Sequence, residues 1–234
     1  MKPSSLAMIL AANASLVACG GSSPTGAGAT PPVPTPTPAA TTARYRVTFE
    51  TAWSLETHPT DFPSNPHFSP LIGATHSARV GFWQLEATAS DGIEAMAELG
   101  RVSPLDTEME AAVAQGTARQ VLRGSGIGLV PGMASIEFDI DREQPLVTLV
   151  SMIAPSHDWF VGVHDLNLIE GGDWVAEKVV TLFPYDAGTD NGATYESPDL
   201  DAQPREAIRR IQERPLTNGG TVAPFGSFTF RRLR

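Results

Sequence analysis

From Arg44 to Leu233 the chain is dominated by short segments in which apolar and polar residues alternate, a period of two that belongs to strands. Tyr45, Val47, Phe49, Thr51 and Trp53 alternate with Arg44, Arg46, Thr48 and Glu50. Ser135 to Asp141 puts Ile136, Phe138 and Ile140 on one face, and Leu146 to Ile153 is a nearly continuous apolar run. Trp159 to Leu168, Val175 to Phe183 and Ser227 to Leu233 follow the same logic, separated by Gly, Pro, Asn and Asp. Successive strands without helices between them argue against a parallel doubly wound sheet. The pattern predicts an all-β-dominated fold, an antiparallel β-sandwich with one to three short helices.

Three stretches carry helical period. Residues 90–99 have an apolar stripe of Ile93, Met96 and Ala97, with Asp91 and Glu94 as a capping pair and Gly100 as the stop. A second helix is expected from Pro104 to Arg123, weakened by Gly116, and a third over 204–213 with Ala207, Ile208 and Ile211 inward. Residues 56–78 carry prolines at 59, 63, 66 and 70 and read as a long irregular loop, a structured cover or the carrier of a site.

The least ordinary stretch is Phe183-Pro184-Tyr185-Asp186-Ala187-Gly188-Thr189-Asp190-Asn191-Gly192. Pro184 stops an apolar run, and two carboxylates four residues apart then flank a glycine. Gly188 tolerates positive φ, so a tight loop can aim both carboxylates at one point. Converging carboxylates repel unless a proton or cation lies between them. A hard cation such as calcium accepts carboxylates, carbonyls and water in a flexible shell, although this is not the twelve-residue EF-hand spacing. The same residues also make plain turn formers that cap their own backbone. The local pattern leaves both readings open.

The N-terminal part is not globular in character. Met1-Lys2 forms a short positive start and Leu6 to Val17 an apolar run too short to span a bilayer, so residues 1–18 read as a signal peptide. It ends in Leu16-Val17-Ala18-Cys19, which resembles the lipobox of bacterial lipoproteins. That resemblance implies a diacylglyceryl group on Cys19, the only cysteine, and hence a partner in the lipid bilayer. Gly20 in place of aspartate suits the outer membrane or cell surface of the envelope. Residues 19–43 are a Gly/Ser/Thr/Pro tether, able to hold a domain up to ~70 Å away at about 3.1 Å per residue. The folded domain is expected over 44–234. A net charge of −10 argues against a nucleic-acid partner, and one cysteine allows no internal disulfide.

Other constellations are weaker. His58, His67 and His76 lie nine residues apart, without the close pair that zinc sites use, and are expected to pin the loop. His157 beside Asp158 is expected at the surface, since strand neighbours face opposite ways. Gly124-Ser125-Gly126 lacks the spacing of a hydrolase elbow, and Gly126-Ile127-Gly128 alone is no phosphate loop. Glu196 and Asp199 form a carboxylate pair of a kind that any acidic chain offers. No catalytic residue is assigned.

Five stretches together resemble the spondin domain of F-spondin, mindin and bacterial proteins. They are Val47-Thr48-Phe49-Glu50-Thr51-Ala52-Trp53-Ser54, Thr57 to Pro63, His67 to Ser77, Pro155-Ser156-His157-Asp158-Trp159-Phe160-Val161-Gly162-Val163, and Tyr185 to Gly192 continuing through Thr194-Tyr195-Glu196-Ser197-Pro198. The resemblance implies a C2-like β-sandwich with one calcium ion at its loop end, held by Asp158, Asp186 and Asp190. It implies non-catalytic adhesion to an extracellular protein or glycan that the sequence does not identify. The family's cysteines are missing from this domain and His164-Asp165-Leu166-Asn167 departs from the animal pattern, so integrin, heparin or matrix binding does not carry over by position. The alternative is a metal-dependent periplasmic or extracellular hydrolase, which would need an open coordination position and a nearby base.

Overall fold

A computed structural model describes residues 40–234. The expected signal peptide over 1–18, Cys19 and nearly all of the expected tether lie outside the described residues. The elements of the first half are β1 (Thr42–Thr51), β2 (His67–Phe68), β3 (Ile72–His76), α1 (Asp91–Leu99), α2 (Leu105–Ala114), β4 (Ala118–Arg123) and β5 (Met133–Asp141). Then come β6 (Leu146–Ala154), β7 (Trp159–Asn167), β8 (Ile169–Glu170), β9 (Asp173–Trp174), β10 (Glu177–Leu182) and β11 (Tyr185–Asp186). The chain closes with β12 (Arg209–Arg210), β13 (Thr217–Asn218), β14 (Thr221–Val222) and β15 (Gly226–Arg232).

Two antiparallel sheets form the expected sandwich. One has the order β10-β15-β1-β5; the other runs β12-β11-β7-β6-β3-β4, with β2 also paired to β6. Tyr45, Val47 and Phe49 of β1 point inward with Phe228 and Phe230 of β15, meeting Val147 and Leu149 of β6 and Val161 of β7. The second sheet has another buried face. There Ile72, Ala74, Val150, Met152 and Phe160 pack against Ile93, Met96 and Ala97 of α1 and Leu105 and Met109 of α2. This third layer explains the unbroken apolar run of β6, because a strand covered on both faces has no solvent side to keep polar.

Four expectations need correction. The helix expected over 104–123 ends at Ala114, and Ala118–Arg123 is β4 instead, paired to β3. Gly116, at φ +68°, breaks the helix rather than merely weakening it. The helix expected over 204–213 is extended and forms β12, because Tyr185 and Asp186 offer an open edge that pairs with Arg210 and Arg209. The proline-rich loop contains β2 and the interior strand β3, since the ladder of β3 begins after its last proline, Pro70. Helix α1 is capped by Ser90, whose hydroxyl accepts from the Ile93 amide, not by Asp91.

The histidines do pin this region. His58 Nε2 donates to the Ala223 carbonyl at 3.2 Å and Nδ1 accepts from the Thr57 hydroxyl at 2.9 Å. His76 is fully buried, donating from Nδ1 to the Ser77 carbonyl and accepting at Nε2 from Thr148 Oγ1 at 2.8 Å.

The C-terminal end of β1 opens onto a cluster of aromatic rings. Trp53, fully buried, lies 5.5 Å from both Phe68 and Tyr195, 5.3 Å from Phe225 and 5.6 Å from Phe62. Tyr195 in turn meets Trp159 edge-on at 5.2 Å, which places Asp158 at the same pole of the sandwich. This pole, formed by the loops after β1, β4, β6 and β10, is called the loop pole below. Trp53→Ala is expected to cost ~3–5 kcal/mol in urea unfolding. A loss below about 1 kcal/mol would mean that the pole is held by something other than this cluster.

Candidate metal centre

The site follows from one pairing. Strand β11 runs antiparallel to β7 with Asp186 opposite Trp159, so Asp158, immediately before β7, meets Asp186. Between β10 and β11 the chain leaves one sheet and joins the other, and Pro184 marks that switch. Gly188 then takes φ +72°, and a Cβ there would lie 2.5 Å from the Glu206 carbonyl oxygen. Only glycine satisfies both demands.

The three aspartates differ in their surroundings. Asp158 is fully buried, and its Oδ2 accepts from the Thr189 and Asp190 amides at 2.9 and 3.2 Å. Its Oδ1 is buried with no hydrogen-bond partner. Asp186 accepts from the Gly188 amide at 2.8 Å and from Arg209 Nη2 at 2.8 Å. Asp190 has both oxygens engaged by backbone, at 2.6 Å from the Gly192 amide and 2.5 Å from the Leu200 amide. Among the described residues, no group of three or more His, Cys, Asp or Glu side chains is arranged to hold a metal ion. Asp158 faces the charge of Asp186 and, more weakly, that of Asp190.

His157 is not a surface residue. Its side chain is 11% exposed, with Nδ1 3.6 Å from Asp190 Oδ1. Its ring lies so close to Gly192 that a Cβ there would come within 2.2 Å of it. His157 precedes β7, so strand alternation does not govern where it points. Sequence reasoning also missed Arg209, because Ile208 and Ile211, both buried, have helical spacing and hid the extended course between them. A cleft of about 260 Å³ opens beside the loop, lined by Asp186, Asp190, Glu206, Arg209 and Arg214 among others.

Residues 43–223 match the family described as Spondin_N. The chain belongs to the spondin family. It is 36% identical over 211 residues to Spondin-1 of Xenopus laevis, covering 82% of this chain and 25% of that protein. To Spondin-2 of Homo sapiens it is 34% identical over 196 residues, covering 82% and 58%. To Spondin-1 of Gallus gallus it is 40% identical over 190 residues, covering 76% and 22%. The chain thus spans less than two thirds of each of these relatives.

In this spondin domain, burial pushes the Asp158 carboxyl up to about 7, and the facing Asp186 charge pushes the same way against the two backbone amides. Burial also raises Asp186, opposed by the guanidinium of Arg209. An orphaned, buried carboxylate oxygen beside a second carboxylate fits an oxygen-seeking cation.

Without a cation, the folded Asp158 holds its proton more tightly than the unfolded chain, where the value is near 3.8. The stability gained from protonation is therefore complete below about pH 4 and lost as the pH rises through about 7. In chelator, the stability of the wild type relative to Asp158→Asn should fall from about pH 4 to about pH 7 and level off above that, read by urea unfolding. A difference that is flat across that window would contradict the burial argument.

Proposed function

We propose that this protein is a calcium-stabilised spondin domain carried on the cell envelope and used for non-catalytic binding or adhesion. Family membership over residues 43–223 carries the reading. The lipobox-like Leu16-Val17-Ala18-Cys19 supports lipidation at Cys19, and the tether over 19–43 supports a domain held away from the bilayer. No helix among the described residues is long and apolar enough to cross a membrane. The partner is an extracellular protein or glycan that meets the loop pole. A metal-dependent hydrolase draws no support from the family match.

Asp158, Asp186 and Asp190 take unequal parts in the proposed calcium site. Asp158 and Asp186 would hold the ion, with backbone carbonyls or water completing an oxygen shell. Asp190, whose oxygens accept from Gly192 and Leu200, fixes the loop around it. A bound divalent cation would offset the mutual repulsion of the pair and so stabilise the sandwich.

Thermal unfolding in calcium, in magnesium and in chelator tests this. Calcium at ~100 times its dissociation constant should add ~2.7 kcal/mol and raise the midpoint by ~5–10 °C. Asp158→Asn and Asp186→Asn should abolish that shift. Asp190→Asn should lower the midpoint in chelator as well, since it weakens two hydrogen bonds to a charged acceptor. A midpoint that ignores calcium would leave the aspartates as turn formers only.

A further inference from the structure

We infer that the domain is a tension-bearing coupler, carrying load from the point where the chain enters it to the loop pole, with β1 as the loaded strand. The inference rests on the proposed N-terminal tether and loop-pole binding. Its geometry needs neither calcium nor a ligand.

The start of the domain is clamped. The Ala40 carbonyl accepts from Arg142 Nε at 2.7 Å and from Trp174 Nε1 at 2.9 Å, and the Thr41 carbonyl accepts from the Arg142 amide at 3.1 Å. From there the chain runs directly into β1, an interior strand that ends at the opposite pole. Nine residues of β1 are in register with β5, from Thr42 opposite Asp141 to Glu50 opposite Met133. Seven are in register with β15, from Tyr45 opposite Arg232 to Thr51 opposite Gly226.

The direction of pull decides how these rungs fail. Antiparallel hydrogen bonds lie perpendicular to the strands. A pull between the start of β1 and the loop pole runs along the strand, so the rungs on both sides of β1 are sheared together. The candidate metal loop lies at the same pole but off this path, because Leu182 at the end of β10 leads within a few residues to Asp186 and β10 is separated from β1 by β15. Arg44 and Arg46 brace β1 to Glu137 on β5, and Arg231 braces β15 to Glu177 on β10.

The chain ends provide the contrasting geometry. The Leu233 amide donates to the Arg44 carbonyl at 2.7 Å and the Arg44 amide to the Arg234 carbonyl at 3.1 Å, so both termini of the domain lie at one pole. Pulling them apart peels β15 from β1 one rung at a time. The domain should therefore be mechanically strong along the tether-to-loop axis and weak between its own ends.

Single-molecule pulling in chelator tests this, on the chain produced without lipidation so that the Cys19 thiol is free to serve as a handle. The second handle is supplied by Leu129→Cys, at a loop-pole residue that is 68% exposed, or by Leu233→Cys, at one that is 41% exposed. Gly128→Cys, whose Cβ meets open space, replaces Leu129→Cys if that variant fails to fold. At one loading rate, rupture through the loop-pole handle should need at least about twice the force required through Leu233→Cys. Equal forces, or a stronger chain-end geometry, would overturn the inference while leaving the calcium reading to be decided by thermal unfolding.

Discussion

Burial of the second sheet on both faces is the constraint from which the architecture follows. Strands β3, β6 and β7 have no polar side to offer water along most of their length, so they need the first sheet on one face and the two helices on the other. Apolar surface removed from water contributes roughly 25 cal/mol per Å², and here one sheet supplies it in both directions. With both faces taken, polar chemistry is left to the edges and ends of that sheet. The candidate site is found there, where the short strand β11 joins β7 near the pole.

At that pole the chain accumulates electrostatic cost in a small volume. Two buried carboxylates face each other, one with an oxygen that no donor reaches, and a third is held within the same loop by backbone amides. Arg209 offsets part of this from Asp186, yet it is shared with Glu213 at 2.5 Å and partly exposed, so its effect is diluted by solvent. A buried carboxylate without a compensating partner relieves that cost by holding a proton or by accepting a cation.

Much of this was legible in the sequence, for physical reasons that can be named. Period-two alternation located β1, β5 and β15 because each has one wet and one dry face. Gly188 announced a left-handed turn, whereas Asp158 and Asp186 were grouped only by the family resemblance, because the two-residue strand β11 that pairs them left no alternation to read. The failures share a cause: the deciding partner was distant. Ile208 and Ile211 look helical until β11 offers an edge 23 residues away from Arg209 to Asp186. His157 looks exposed until Gly192 leaves room for its ring. Nothing local in 72–76 reveals that β6 lies beside it, and the prolines before it suggested irregular backbone.

The switch at Pro184 has a further consequence for cooperativity. Strand β10 belongs to one sheet and β11 to the other, with only Phe183 and Pro184 between them. Whatever disturbs the aspartate loop therefore pulls on both layers at once. The two sheets are not free to exchange their amide protons as separate units, and subglobal opening that starts at this seam should spread into the whole sandwich.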